Sequence, residues 1–144
     1  MSARPVPPPD ALSEAFWAAT RAQRLVQARC SGCQRFLGYP RERCHFCGST
    51  HVEWCAVSGR GRIVAVTVVH RSADPHWSAR TPYAVSLVEL DEGPRLLSSP
   101  PDGVDPAAVP VGTRVEVTWE PLADGRAYPW FRPAEEPRSR IGLE

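Results

Sequence analysis

The sequence predicts a mainly β protein: an N-terminal helix, a small cysteine-rich module and then a five-stranded barrel. Three observations carry that prediction. Residues 10–25 repeat their apolar side chains at about 3.6-residue spacing, residues 26–57 hold two CxxC pairs, and from Gly59 onward the apolar period changes to two.

The 144 residues are 42% apolar and 23% charged, the balance of an ordinary globular domain and not of a disordered chain. No run approaches the roughly 18–20 apolar residues of a spanning helix, so no membrane segment is expected. Met1 to Asp10 hold four prolines and no apolar h-region, so a cytoplasmic location is expected over secretion.

Residues 1–9 read as a flexible lead. Asp10 is placed to cap a helix running to Leu25, with Leu12, Ala15, Phe16, Ala19, Ala22 and Val26 along one face. Trp17 lies about 100° from Phe16 and widens that stripe. The two aromatics dock either on the chain's own body or on a partner.

Cys30-Ser31-Gly32-Cys33 and Cys44-His45-Phe46-Cys47 are separated by ten residues. Each CxxC turn sets two sulfurs on one tight knuckle, and two knuckles supply a tetrahedron that suits Zn²⁺. Iron uses the same geometry, and disulfides are a further alternative. A module of residues 26–57 is too small to fold on its apolar core alone, whereas a structural zinc contributes on the order of 10–16 kcal/mol. Four sulfurs also close the coordination sphere, which leaves no position for a catalytic water. His45 is then a solvent-facing knuckle residue, and Cys55 reads as a buried, inert thiol.

Residues 58–133 supply the barrel. Arg62–Val69 is rich in β-branched residues, and Tyr83–Leu90 follows. Asp91-Glu92-Gly93 turns the chain into Arg95–Ser98. Thr113–Glu120 alternates Val115, Val117 and Trp119 inward, and Ala127–Phe131 is the last strand. Five short strands without a long helix indicate a closed or half-closed barrel of the OB-fold type. Residues 134–144 read as a flexible tail.

The formal charge of +1 conceals an asymmetry: residues 1–62 carry +5 and residues 63–144 carry −4. All 17 cations are arginine. Amine catalysis by lysine is thereby excluded, and every cation is a planar fork suited to phosphate or carboxylate. A nucleic-acid-binding ribbon/OB module is the alternative that the basic front half favours, and the acidic barrel half argues against it. His70 and His76 are candidate bases, and neither sits in a recognisable nucleophile or metalloprotease motif; Glu89, Asp91 and Glu92 cluster around a turn as solvated acids.

The order of Phe16-Trp17, Cys30-x-x-Cys33, Cys44-x-x-Cys47-Gly48, Ser58-Gly59-Arg60-Gly61, Thr67-Val68-Val69-His70, Pro82-Tyr83, Leu87–Gly93 and Trp130-Phe131-Arg132-Pro133 resembles the family long filed as domain of unknown function thirty-five. The resemblance covers residues 10–134. It implies a rubredoxin-like zinc ribbon joined to an OB-fold, and a non-catalytic accessory subunit of a thiolase-superfamily enzyme: a thiolase, an acyltransferase or a lipid-transfer-protein-like aldolase of sterol side-chain degradation. A hotdog-fold enoyl-CoA hydratase is the alternative partner, and acyl-CoA is a ligand proposed for the family. On that reading Phe16, Trp17, Arg24, Arg60, Arg62, His70, Trp130 and Phe131 are the candidate partner or CoA contacts. The chain departs from the family pattern at Gln34, where glycine is usual. A non-glycine residue there must accept a left-handed backbone at a cost of about 1 kcal/mol.

Overall fold

A computed structural model describes residues 4–135. Residues 1–3 of the expected lead, and residues 136–144 of the expected tail, lie outside the described residues. The element order is α1 (Glu14–Thr20), β1 (Val26–Cys30), β2 (Val52–Ala56), β3 (Arg60–Val69), α2 (Pro75–Ser78), β4 (Tyr83–Leu90), β5 (Arg95–Ser98), β6 (Arg114–Pro121) and β7 (Ala127–Pro133).

The helix is shorter than its apolar spacing predicts. Ahead of it, the Asp10 carboxylate accepts from the Ser13 backbone N–H and hydroxyl, both at 2.8 Å, so Asp10 closes a turn before the helix begins. Behind it, Gln23 adopts φ 53°. The Arg24 N–H then reaches the Ala19 carbonyl at 3.1 Å and the Gln23 N–H reaches Thr20 at 2.9 Å. This is the paired bonding of a Schellman stop, made here without the usual glycine.

The buried face is also rotated from the predicted stripe. Leu12, Ala15 and Ala22 are exposed, while Ser13, Phe16, Trp17 and Thr20 face inward. The large aromatic surfaces outweigh the alanine methyls in choosing the face. The Thr20 hydroxyl fixes the choice: it donates to the Trp17 carbonyl at 2.7 Å and accepts from the Ala127 N–H at 3.2 Å.

β1 and β2 pair antiparallel from Val26↔Ala56 to Cys30↔Val52, and Phe36 bridges to Arg29. Between the knuckles this ribbon seals only a small core of Ala28, Cys30, Leu37 and Cys44.

The second module is a five-stranded antiparallel sheet in the order β5-β4-β3-β6-β7. β4 runs over the predicted residues, and its side chains alternate between buried and half-buried along its whole length. β3 pairs with β4 over most of its length and with β6 only at Arg60–Arg62, and a bulge between Ile63 and Ala65 helps it serve both. Gly61 makes the crossing possible, because a Cβ there would collide with the Glu89 carbonyl. The sheet curls without a β5–β7 ladder; a Phe131 N–H to Ser99 carbonyl bond at 3.4 Å joins the two ends. The predicted barrel is thus a half-barrel. Ile63, Ala84, Val88, Leu90, Val109, Val115 and Phe131 fill it, and Leu25 reaches in from the ribbon side.

Candidate functional site: a four-cysteine centre and the groove beside it

The sulfurs of Cys30, Cys33, Cys44 and Cys47 all lie within 4.8 Å of one another. Cys30 and Cys47 stand 3.6 Å apart, and Cys33 and Cys44 3.7 Å. A tetrahedral ion with metal–sulfur bonds of about 2.3 Å has sulfur–sulfur edges of about 3.8 Å, so the four residues fit such an ion. Backbone amides point at the sulfurs: Cys33 N–H approaches the Cys30 sulfur at 3.5 Å, and Phe46 N–H approaches that of Cys44 at 3.4 Å. The Cys33 amide leads in lowering the Cys30 thiol to about 6, while at Cys47 the Ser49 amide is outweighed by the neighbouring sulfurs and burial, which push that thiol up to about 11. Each knuckle needs one left-handed residue, Gly48 at φ 78° and Gln34 at φ 65°. The departure at Gln34 therefore carries the backbone cost its position implied. His45 is exposed and its ring packs at a tilt against Phe46, outside the sulfur cage. Cys55 is half-buried in β2, where complete burial was expected.

An apolar groove of about 320 Å³ opens where α1, the ribbon and the half-barrel meet. Phe16 and Trp17 reach it from α1, Gln27 and Trp54 from the ribbon strands, and Leu96 and Leu97 from β5. Tyr39 frames the rim, and its phenol oxygen accepts from the Leu97 N–H at 3.3 Å. Of the predicted contact residues, the groove gathers Phe16, Trp17 and Phe131. Phe131, however, is 3% exposed and belongs to the barrel core, so it is a wall and not a free contact.

The structure scatters the other predicted contacts. Arg24 lines a shallow depression beside Ser58 and Gly59. Arg60 and Arg62 are exposed at the start of β3, and Arg62 is engaged with Glu89 at 3.0 Å. His70 is exposed past the far end of β3. It lies about 25 Å along that strand from Arg62, at about 3.3 Å per residue, so these side chains do not converge on one small site. His76 is buried on α2, with the Arg80 Nη1 at 3.2 Å from its Nδ1.

Trp130 belongs to a feature that sequence reasoning missed. The Arg4 guanidinium sits 5.0 Å from the Trp77 ring centroid, 5.4 Å from Tyr128 and 4.8 Å from Trp130. It pairs with Glu120 at 2.7 Å, and its side chain is only 8% exposed. The Tyr128 hydroxyl donates to the Pro5 carbonyl and Arg126 donates to that of Pro7, so the described part of the expected flexible lead makes specific contacts with β7 and the residue ahead of it. Burial pushes the Tyr128 phenol up, against the two arginines beside it.

A four-thiolate ribbon followed by an OB half-barrel defines a two-module zinc-ribbon/OB-fold protein. Residues 17–53 match the domain described as the ChsH2 rubredoxin-like zinc ribbon, and residues 54–120 match the ChsH2 C-terminal OB-fold domain. A DUF35 domain-containing scaffold protein of Pyrococcus furiosus is 32% identical over 103 residues, 71% of this chain and 74% of that one. The chain belongs to the DUF35 family, with the two domains of ChsH2. A solved chain of the Ltp2-ChsH2(DUF35) aldolase superposes with a TM-score of 0.78 at 30% identity, covering 89% of this chain and 98% of that one. A Thermomonospora curvata protein named "Probable enoyl-CoA hydratase alpha subunit" is 35% identical over 121 residues, 83% of this chain. This chain spans 37% of that relative's length.

Proposed function

We propose that this chain is a non-catalytic accessory subunit that binds a thiolase-superfamily enzyme, foremost a lipid-transfer-protein-like aldolase, and helps form its acyl-CoA site. The observation that carries the reading is the likeness to the aldolase complex, which extends over 98% of the solved chain. The metal centre is consistent with support and not chemistry: four sulfurs fill a tetrahedral ion, and structural zinc is the ion that four-thiolate ribbons take. Its work is to hold the ribbon, and through β1 and β2 to set the ribbon against α1 and β5.

Arg24 and Arg60 are the exposed guanidiniums assigned to CoA phosphates, by charge-assisted bidentate bonds. Arg62 is a weaker candidate because Glu89 already engages it. The hydratase relative supports a second reading, in which the enzyme partner is an enoyl-CoA hydratase.

Co-expression with a lipid-transfer-protein-like aldolase subunit tests the proposal. The expected result is a co-purifying complex whose acyl-CoA turnover needs both chains, and whose KM rises when Arg60→Ala is introduced. Full activity of the larger subunit alone, with no co-purification, would overturn it. Capture of a hydratase subunit instead would select the second reading.

A further inference from the structure

The groove at the junction of α1, the ribbon and β5 carries chemistry that the fold does not use. Its rim is apolar and open: Leu97 is 66% exposed and Tyr39 52%. Gln27 is 1% exposed and lines it. The Gln27 Nε2 donates to the Val26 carbonyl at 2.8 Å, while its Oε1 has no donor among the described residues. A buried acceptor left unmet is destabilising, a cost that a ligand with one donor removes.

The groove's lining residues are all uncharged, so a carboxylate, phosphate or ammonium would enter it with no countercharge. At about 320 Å³ it stands at the lower end of small-molecule sites. These properties select a neutral, largely apolar group with a single hydrogen-bond donor. Tyrosine and tryptophan side chains have that make-up, and they are the residues that most often anchor protein interfaces.

We propose that the groove receives one such aromatic side chain from the partner enzyme subunit, its O–H or indole N–H meeting the Gln27 carboxamide oxygen. The Nε2 of Gln27 is held by the Val26 carbonyl, so its Oε1 is the amide atom left to accept an incoming donor. The Tyr39–Leu97 bond keeps the rim in place before the partner arrives. This inference rests on the accessory-subunit reading and deepens it.

Two variants and one probe test it. Gln27→Met keeps the volume and removes both the unmet acceptor and the Nε2 donor to the Val26 carbonyl. The free variant is expected to stay folded, with a melting temperature near that of wild type, and to bind the partner subunit at least tenfold more weakly. Leu97→Asp, at an exposed position, is expected to weaken binding similarly without unfolding the chain. In the free protein, para-cresol is expected to shift the amide resonances of groove residues at lower concentration than 4-methylanisole, which lacks the donor, and Gln27→Met is expected to abolish that preference.

If the subunits assemble and both variants bind like wild type, the groove is not the anchor site; the proposal falls and the accessory reading stands. If no assembly occurs, the accessory reading falls. The groove's selectivity is then decided by the fragments: a para-cresol preference supports it, and equal binding or none overturns it.

Discussion

Removing the metal should separate the two modules in stability. The ribbon's sealed apolar set is Ala28, Cys30, Leu37 and Cys44, of which only Leu37 is a full-sized aliphatic side chain. Burying Leu37 contributes about 1.5–3 kcal/mol, whereas a four-thiolate zinc contributes on the order of 10–16 kcal/mol. The half-barrel instead has its own core around Ile63, Val88, Leu90, Val115 and Phe131, which touches no metal ligand. A chelator, or Cys33→Ser with one thiolate removed, should therefore melt β1 and β2 and leave β3 to β7 folded. Amide hydrogen exchange reads this directly. Protection is expected to vanish across Val26–Cys30 and Val52–Ala56 and to persist across Tyr83–Leu90. Trp54, in β2 and 6.2 Å from the Phe16 ring, should report the same event by fluorescence. Retained β1–β2 protection in protein shown by mass spectrometry to be metal-free would refute the argument that the ion substitutes for a core.

Three further outcomes follow from particular contacts. Gln23→Gly relieves the left-handed residue that ends α1 and should raise stability by about 1 kcal/mol, read as a higher urea midpoint. Thr20→Val deletes the hydroxyl that accepts the Ala127 N–H, leaves a buried donor unmet, and should lower stability by about 1–3 kcal/mol in the same assay. Glu89 is held below the ordinary carboxylate value of 4.5 by its hydrogen bonds to Arg62 and Arg95. A depressed folded-state pKa favours the fold above the unfolded value and loses that contribution as pH falls through the folded one. Urea midpoints taken from pH 6 down to pH 3 should fall in the wild type and fall less steeply in Glu89→Gln.

Much of this architecture was legible because its signals are local. Tyr83–Leu90 is a short apolar-rich run closed by the Asp91-Glu92-Gly93 turn, and two CxxC knuckles restrict the ribbon whatever surrounds them. The helix ends were not legible. Gln23 stops the helix where glycine would have announced it, and its side chain does not advertise a positive φ; the left-handed Gln34 was legible only through the family resemblance. The stripe of Leu12, Ala15 and Ala22 was drawn from apolarity alone, while Thr20 and Ser13 hold the inner face by position and hydrogen bonding. The Arg4 cage joins residues 116 apart in sequence, so no window along the chain reveals it. The groove is assembled from three elements. Phe16 and Trp17 were legible as docking aromatics, while the outward turn of Leu97 on a four-residue strand depends on how β5 pairs.

The central claim is that this chain works as a bound subunit. Sedimentation velocity of the purified chain titrated with the purified thiolase-like subunit tests it most directly. One faster hetero-complex that saturates at a fixed ratio at micromolar concentration is predicted, as an interface of standard size would give. Two boundaries that sediment independently across the titration would contradict it.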